Sequence, residues 1–279
     1  MRELAATIGD NTIDEYVGQD SYSLVGGNAL NVAVQAVRLG RGVRYFGAVG
    51  PDDAGERTRQ TLSRLGVGIA GLVSMPGRTS TSRIRVDAAG DRNFEFEDFG
   101  VCTDYVPTSP IYVPTSPMLE LLAECGAVHI GMLPAAGLVR ERLRGRSVVV
   151  SQDCGVSHGY EHLDVAFCSQ AAAGDVPERI ASDAVARGAR LAVVTCGADG
   201  SIAFDGRTWR QAEAVPVTVV DTTGARDGYA AGFLDAWLAG ADVDQAVAAG
   251  SVVAARTCTH LGAWPQEPLP PPHRQLVTS

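Results

Sequence analysis

The segment DTTGARD at residues 221–227 carries the strongest chemical signal in the chain. A Thr-Thr-Gly turn that leads into a helix presents unpaired backbone N–H groups and the positive end of the helix dipole, and together these bind anions such as phosphate. Asp227 falls in the first turn of that helix. A carboxylate at this position either complements the dipole as a cap or acts as a general base, and the pattern alone leaves both functions open.

Histidine and cysteine offer a weaker alternative, a metal site. His158 and His162 are four residues apart and could share a helix face, but Gly159 and the turn-like context favour a loop. The six cysteines are scattered without a C-x-x-C pair, which predicts reduced and mostly buried thiols. No metal site is therefore predicted from protein side chains.

Charge and composition exclude several classes of function. The chain contains no lysine, so all 23 basic residues are arginine, and lysine-dependent chemistry such as a Schiff base or a Walker A phosphate loop is excluded. A net charge of −9 argues against a nucleic-acid surface. No apolar run is long enough to span a membrane, and the N-terminal residues do not resemble a secretory signal, so a soluble cytoplasmic protein is expected.

The elements that must position this turn alternate between strand-like and helix-like segments. Strand-like runs begin near residues 4, 43, 127, 147, 164 and 191, and helix-like runs lie between them, which predicts β-α-β units around a parallel sheet. SIAFDG and TWRQAEA add a two-stranded unit. PVTVVD, residues 216–221, is predicted as the strand that ends at the Thr-Thr-Gly turn.

The middle of the chain departs from this alternation. Residues 79–98 form a hairpin pattern, which with TIDEYVG near residues 12–18 predicts a small antiparallel sheet outside the main one, with a lid as its expected use. The duplication YVPTSPI-YVPTSPM, beginning at residue 105, predicts an exposed, turn-rich loop. We expect residues 1–279 to form one domain that carries the lid strands.

The string DTTGARDGYAAGF resembles the signature of the ribokinase and PfkB family of carbohydrate kinases, whose usual form is DTTGAGD followed by a small residue and an aromatic. GGNALNVAVQAVRLG resembles the N-terminal signature of the same family. The segment IGDNTIDEY is similar in sequence to the fructoselysine 6-kinase branch of this family. The resemblance extends over almost the whole chain.

This resemblance implies a ribokinase-like fold and a set of site residues. The fold is α/β, a doubly wound and mostly parallel sheet flanked by helices, with a small β-sheet lid. Asp227 would be the general base. The turn at residues 224–227, which comprises Gly224, Ala225, Arg226 and Asp227, would stabilise the transferred phosphoryl group. The substrate-binding residues implied are Asp10, Asp14, Gly26, Gly27 and Asn31, and the nucleotide-binding residues are Thr195, Gly197, Thr223 and Gly224. ATP and Mg²⁺ are the implied cofactors, a sugar-like molecule is the substrate, and a homodimer through the lid strands is the expected assembly.

Two departures from the family pattern leave two hypotheses open. Arg226 replaces a glycine that permits close approach to phosphate, so it either blocks the phosphate or adds a cation that clamps it. Residues 169–172 read SQAA, without the acid of the family's N-x-x-E motif, which helps to organise magnesium. The first hypothesis is an ATP-dependent kinase of a sugar or fructosamine. The second is a repurposed or catalytically degenerate relative that binds sugar or nucleotide without phosphoryl transfer.

Overall fold

The protein, in a computed structural model, is described over residues 5–17, 21–86, 92–102, 111–170 and 174–271. The strands are β1 (Ala5–Ile8), β2 (Thr12–Val17), β3 (Tyr22–Gly26), β4 (Val43–Val49), β5 (Gly68–Ser74), β6 (Thr81–Val86), β7 (Arg92–Asp98), β8 (Ala127–Ile130), β9 (Val149–Asp153), β10 (Val165–Ser169), β11 (Leu191–Thr195), β12 (Ser201–Phe204) and β13 (Trp209–Ala212). The helices are α1 (Asn28–Arg38), α2 (Asp53–Arg64), α3 (Ser116–Ala123), α4 (Ala136–Leu143), α5 (Pro177–Ala186), α6 (Ala225–Leu238) and α7 (Val243–Thr257).

Within these ranges the larger sheet has nine strands in the order β13-β12-β11-β10-β9-β8-β1-β4-β5. The seven neighbouring strands β11, β10, β9, β8, β1, β4 and β5 pair in parallel. β12 pairs antiparallel with β11, and β13 pairs antiparallel with β12. Apolar side chains of α3, α4 and α5 cover one face, and those of α1, α2, α6 and α7 cover the other. The predicted doubly wound, mostly parallel architecture is confirmed.

A second sheet of four strands has the order β3-β2-β6-β7. The hairpin of β6 and β7 is confirmed, with antiparallel pairing from Thr81 to Asp98. The expectation of a wholly antiparallel sheet is wrong, because β2 pairs with β6 in parallel. Strands β2, β6 and β7 lie within the predicted ranges 12–18 and 79–98, whereas β3 lies outside them. The single domain of residues 1–279 and the lid function stay predictions.

The predicted strand at residues 216–221 is wrong. Residues 213–219 have no regular secondary structure, and β13 ends at Ala212 as the edge of the sheet. Val219 and Val220 are 58% and 56% exposed, and the Val220 N–H donates to the carbonyl of Cys258 rather than to a strand. A β-branched run predicts a strand only when a neighbouring strand edge is there to pair with it.

The second copy of the YVPTSP duplication is only partly exposed. Tyr112 is buried, its N–H donates to the carbonyl of Val101, and its hydroxyl lies 3.8 Å from Met118 Sδ. Ser116 and Pro117 begin α3, where proline suits the first turn of a helix. The exposed loop predicted for this copy is therefore wrong at Tyr112. The first copy lies outside the described residues, apart from its last position.

Two strands, β3 and β5, are not among the predicted segments. β3 has only five residues and ends in glycine, and β5 contains two glycines, so neither shows the apolar pattern of the other strands. No helix of the described residues is both long and apolar enough to cross a bilayer.

Candidate active site

Asp227 lies in the first turn of α6. Gly224 is the N-cap of this helix and has a left-handed backbone, with φ of 73°, and a side chain at this position would clash with Ala263. The Asp227 side chain is almost fully buried. Its Oδ2 accepts a hydrogen bond from Asn31 Nδ2 at 2.6 Å, and its Oδ1 accepts one from Asn28 Nδ2 at 2.7 Å. Two amides of α1 thus orient this carboxyl group.

Asn28 also links Asp227 to a second buried carboxyl group, Asp153, which ends β9. Asn28 Nδ2 donates to Asp153 Oδ2 at 2.8 Å, and the other oxygen of Asp153 accepts from the Gly155 N–H at 2.8 Å. Neither Asn28 nor Asp153 is among the residues predicted from the sequence. The available signal was the i, i+3 spacing of Asn28 and Asn31, which places both amides on one helix face.

Burial dominates the titration of Asp227. Loss of hydration raises its pKa to about 8, and the negative charges of Asp153 and Asp10 add to that increase. The hydrogen bond from Asn31 and the positive charge of Arg226 act in the opposite direction. The position of Asp227 at the positive end of a helix predicts a carboxylate that stays ionised. In the structure, burial has the larger effect and raises the pKa of Asp227.

Asp10 holds the backbone at the start of α1. Its Oδ2 accepts from the Asn28 N–H at 2.8 Å, and its Oδ1 accepts from the N–H groups of Ala29 and Met132 at 3.1 and 3.2 Å. Asp10 therefore caps the start of α1 and ties it to the segment after β8. Burial raises the pKa of Asp10, and these backbone hydrogen bonds partly offset the increase. Its predicted contact with substrate stays a prediction.

The two glycines before α1 are required by close packing. The Gly26 Cα lies against the carboxyl group of Asp14 in β2, so that any side chain at residue 26 would displace Asp14. Gly27 is the N-cap of α1 with φ of 113°, and a side chain there would clash with the backbone of Asn11. Asp14 is buried beside this turn. Substrate binding by Asp14, Gly26, Gly27 and Asn31 stays a prediction.

Asp221 holds the turn before α6. Its Oδ1 accepts from the Thr223 N–H at 2.7 Å, and its Oδ2 accepts from the Gly262 N–H at 2.9 Å. Tyr16 reaches this turn from β2 of the small sheet, with its hydroxyl 3.3 Å from Asp221 Oδ2 and 3.2 Å from Thr223 Oγ1. The small sheet is thereby joined to the predicted phosphate-binding turn.

Arg226 extends from α6 toward the ends of β9 and β10. Its Nη1 donates to Ser169 Oγ at 2.8 Å, and a Cβ on Gly155 would lie only 2.8 Å from this nitrogen and 3.0 Å from Asp153 Oδ1. The residue is solvent-exposed on its other side. The arginine that replaces the family glycine thus places a cation beside the Asp227–Asn28–Asp153 group.

A small cavity of about 10 Å³ lies beside Arg226 and Asp227. It is lined by His129, Asp153, Phe167, Cys168, Thr195, Arg226, Asp227 and Ala230. Burial lowers the pKa of His129 to about 4, against the opposing charge of Asp153, so that its imidazole is neutral at ordinary pH. The cavity brings the predicted nucleotide residue Thr195 to the same place as Asp227.

Thr195 and Gly197 lie at the carboxyl end of β11. Thr195 Oγ1 donates to the Cys168 carbonyl at 3.4 Å. Gly197 begins a short 3₁₀ turn, Gly197–Asp199, and a Cβ added to it would face open space. Thr195 is half-buried and Gly197 is exposed. The contact of both residues with a nucleotide stays a prediction.

The histidine pair is in a loop, as the sequence favours. His162 Nε2 lies 3.2 Å from Glu141 Oε2, and residues 155–162 contain no helix. Over the described ranges, no group of three or more His, Cys, Asp or Glu side chains is arranged to hold a metal ion. All six cysteines are free thiols, three of them buried and three partly buried.

Comparisons with known proteins identify the family and the fold of the chain. Residues 14–100 and 162–269 match the family model described as "pfkB family carbohydrate kinase". The chain is 36% identical over 269 residues to the fructoselysine 6-kinase of Escherichia coli, covering 93% of this chain and 98% of that protein. It is 28% identical to the fructosamine kinase of Bacillus subtilis, covering 92% and 91% of the two chains. The ribokinase of Arabidopsis thaliana, solved with ribose and ATP, superposes with a TM-score of 0.82 at 21% identity over 94% of each chain.

The fold and these relatives define a ribokinase-like protein with a nine-stranded sheet and a smaller second sheet. The chain belongs to the PfkB family of carbohydrate kinases.

Proposed function

We propose that the protein is an ATP-dependent kinase that phosphorylates a hydroxyl group of a sugar or of a fructosamine-like sugar-amine. The observation that carries the proposal is the buried carboxyl group of Asp227, placed at the start of α6 and oriented by Asn28 and Asn31. The similarity to the Escherichia coli fructoselysine 6-kinase and the Bacillus subtilis fructosamine kinase supports the substrate class.

In this proposal Asp227 takes the proton of the acceptor hydroxyl as that oxygen attacks the terminal phosphorus of ATP. A base works best when its pKa lies near the operating pH, and a value of about 8 for Asp227 meets that condition. The amides of Asn28 and Asn31 fix both oxygens of the carboxylate, so that little reorientation is needed at the moment of transfer.

The turn at residues 224–227 would stabilise the charge of the transferred phosphoryl group. The Ala225 N–H already donates to the Thr222 carbonyl at 3.2 Å. The N–H groups of Arg226 and Asp227, in the first turn of α6, are then the natural donors to phosphate, because the first amides of a helix have no intrahelical partner. The Arg226 guanidinium adds a positive charge on the same side.

The nucleotide would lie along Thr195, Gly197 and Thr223, at the carboxyl ends of the parallel strands where α/β sheets bind ligands. The described side chains do not form a cage for magnesium. Each oxygen of Asp153 and Asp227 already accepts a hydrogen bond, and Arg226 brings a competing cation. A magnesium ion would therefore accompany the phosphate chain and keep most of its waters.

A coupled assay of ADP release against a panel of sugars and fructosamines tests this proposal. We expect turnover with at least one fructosamine, and a fall of about 10²- to 10⁴-fold in kcat for Asp227→Asn, because a positioned base contributes that much. Asp183→Asn, an exposed carboxylate on α5, is the matched control and should retain activity. Full activity of Asp227→Asn would contradict the assignment of the base.

The second candidate function is a binder without phosphoryl transfer. It is favoured by the position of Arg226, whose side chain reaches Ser169 across the predicted phosphate site. Arg226→Gly removes both bulk and charge, whereas Arg226→Gln removes the charge and keeps the bulk.

Calorimetry measures the ATP affinity of these two variants. It distinguishes an Arg226 that binds the phosphate from one that blocks it. If Arg226 clamps the phosphate, both variants bind ATP more weakly than the unchanged protein. We expect ATP affinity to fall roughly 10-fold, as for the loss of a charge-assisted hydrogen bond of about 1.4 kcal/mol. If only Arg226→Gly binds ATP more tightly, the arginine obstructs the phosphate and the binder is the correct assignment.

We also propose the cytoplasm as the location and a homodimer through the small sheet as the assembly. The six free thiols suit a reducing compartment. The edge strand β7 is the surface expected to meet the second copy, and Phe96 on it is 47% exposed.

A further inference from the structure

Two cysteines lie opposite each other where β9 and β10 end. The strands pair in parallel with Ser151 opposite Val165 and Asp153 opposite Phe167. The ladder continues one residue further, because the Cys154 N–H donates to the Phe167 carbonyl at 2.7 Å. Cys154 is therefore the neighbour of Cys168 in register.

Both thiols point to the same face of the sheet. Cys168 belongs to the apolar cluster under α3, α4 and α5, and Cys154 packs against that cluster while remaining partly accessible. A hydrogen bond to Cys168, together with burial, raises the pKa of Cys154. The hydrogen bond places the two sulfur atoms next to each other, and the thiolate is the reactive form of either one.

The backbone spacing suits a covalent bond between them. Adjacent strands are about 4.7–4.9 Å apart, and disulfides span Cα separations of roughly 4.4–6.8 Å. The Cβ atoms must approach to roughly 3.5–4.5 Å, which requires the strands to move together slightly. Cys154 lies in the turn that directly follows β9.

We propose that Cys154 and Cys168 are a reversible disulfide site that forms on exposure to a peroxide. The thiolate of one cysteine attacks one peroxide oxygen, the O–O bond breaks, and a sulfenic acid and one water form. The sulfur of the other cysteine then attacks the sulfenic sulfur, the S–O bond breaks, and a second water leaves. The dithiol loses two electrons and two protons, and the peroxide is reduced to two waters.

The resulting bond would be easy to reduce. A disulfide strained by its strand geometry has a higher reduction potential than a structural one and is returned to the dithiol by a small thiol or dithiol. The site therefore acts as a switch and not as a permanent cross-link.

The switch is adjacent to the candidate active site. Asp153, which holds Asn28, immediately precedes Cys154, and Ser169, which accepts from Arg226, immediately follows Cys168. Movement of the two strand ends on oxidation would displace both contacts. The movement would also shift Arg226 away from the phosphate oxygen that the proposed function assigns to it. We therefore expect the oxidised protein to bind ATP more weakly, by roughly 10-fold for one lost charge-assisted hydrogen bond of about 1.4 kcal/mol. This effect on ATP rests on the proposed kinase function, and formation of the disulfide does not.

Peptide mass spectrometry of the full chain tests the disulfide directly. Trypsin cleaves after Arg146 and Arg179, and the peptide 147–179 contains Cys154 and Cys168 but no other cysteine. After treatment with hydrogen peroxide and alkylation in denaturant, we expect this peptide to lose two hydrogens and to resist alkylation, and a dithiol reductant should reverse both changes.

Cys196→Ser is the matched control, since Cys196 is a partly buried thiol at the end of the neighbouring strand β11. It should leave the oxidation of peptide 147–179 unchanged, whereas Cys154→Ser and Cys168→Ser should each abolish the disulfide, and dimedone should trap a sulfenic acid on the remaining cysteine in at least one of these two variants. A cross-link from Cys168 to Cys196, or an unmodified peptide 147–179 in peroxide-treated folded protein, would overturn the proposal.

Calorimetry with ATP on the reduced, oxidised and Cys154→Ser proteins gives the second readout. Equal ATP affinity in the reduced and oxidised forms, with the disulfide present, would refute the coupling to the active site. Absence of ATP binding in the reduced protein would count against the kinase function and would leave the mass measurement valid.

Discussion

At the scale of single residues, the chemistry depends on how several charges act on Asp227. Its pKa is raised to about 8 by burial and by the neighbouring charges of Asp153 and Asp10, and Arg226 opposes the increase. Since a general base must be deprotonated to accept a proton, kcat/KM should rise with pH through that pKa. The two charges nearest to the cleft, Asp153 and Arg226, should then shift the pH profile in opposite directions.

Asp153→Asn should move the rising limb of the kcat/KM profile to lower pH. Removing the negative charge lowers the pKa of Asp227, while an asparagine oxygen can still accept the hydrogen bond from Asn28. The measurement is the pH dependence of ADP release between pH 5 and 10. Asp183→Asn is the control and should leave the pH profile unchanged. A shift to higher pH would show that another group controls the limb.

The pattern of residues around Asp227 was only partly predictable. The DTTGARD string identifies the turn and the carboxylate, because local sequence decides where a helix begins. Asp153 lies 74 positions away and is brought to Asp227 by the order of strands in the sheet, which no local pattern contains. Asn28 could have been inferred from its spacing with Asn31.

At the scale of elements, the site depends on α6 being held in close contact with its neighbours. Gly232 in α6 faces α7, and a Cβ there would lie 2.8 Å from the Ala249 carbonyl oxygen and 2.7 Å from Val253 Cγ2. Gln35 of α1 donates to Thr257 at the end of α7. Helices α1, α6 and α7 therefore form one packed layer that fixes Asp227 against the asparagines of α1.

Gly232→Ala should destabilise the protein by roughly 1–3 kcal/mol, because the added methyl group overpacks the contact between α6 and α7. Gly137→Ala in α4 is the control, since its Cβ would meet only Arg140 Nη2 at 3.8 Å. That change should be neutral or stabilising by up to about 1 kcal/mol from helix propensity. Urea unfolding of both variants measures the difference, and equal stability of the two would contradict the packing argument.

Strands were predictable where apolar runs are long, as in β4, β9, β10 and β11. β3 and β5 were missed because glycines interrupt their apolar pattern. The failure at residues 216–221 has a different physical cause. Strand formation depends on a partner edge as well as on β-branched residues, and the sequence does not show which edges are available. The valines of residues 215–220 have no such partner and are exposed.

At the scale of the whole molecule, the small sheet is attached to the larger unit at several points. Tyr16 contacts the turn before α6. Gln266, near the C-terminus, exchanges two hydrogen bonds with the backbone of Val25 in β3, at 2.9 and 3.0 Å. Arg57 of α2 donates to Ser23 in the same strand. These contacts hold β2 and β3 of the small sheet against the larger unit.

Gln266→Ala should loosen the attachment of β3. Loss of both side-chain bonds to Val25 removes support from an edge strand, and we expect faster hydrogen exchange of the β3 amides by roughly 5- to 10-fold, as for about 1 kcal/mol of local stability. Gln60→Ala, which removes an exposed contact with Glu56, is the control. Unchanged exchange in β3 would show that the strand is held by other contacts.

A crystal structure with a non-hydrolysable ATP analogue tests the central claim most directly, since it measures where the terminal phosphate lies relative to Asp227. We expect that phosphate within hydrogen-bond distance of the amides at the start of α6, with the Asp227 carboxylate facing the acceptor side and Arg226 contacting a phosphate oxygen. A terminal phosphate placed away from residues 224–227, with Arg226 still bound to Ser169, would contradict the assignment of this turn as the site of phosphoryl transfer.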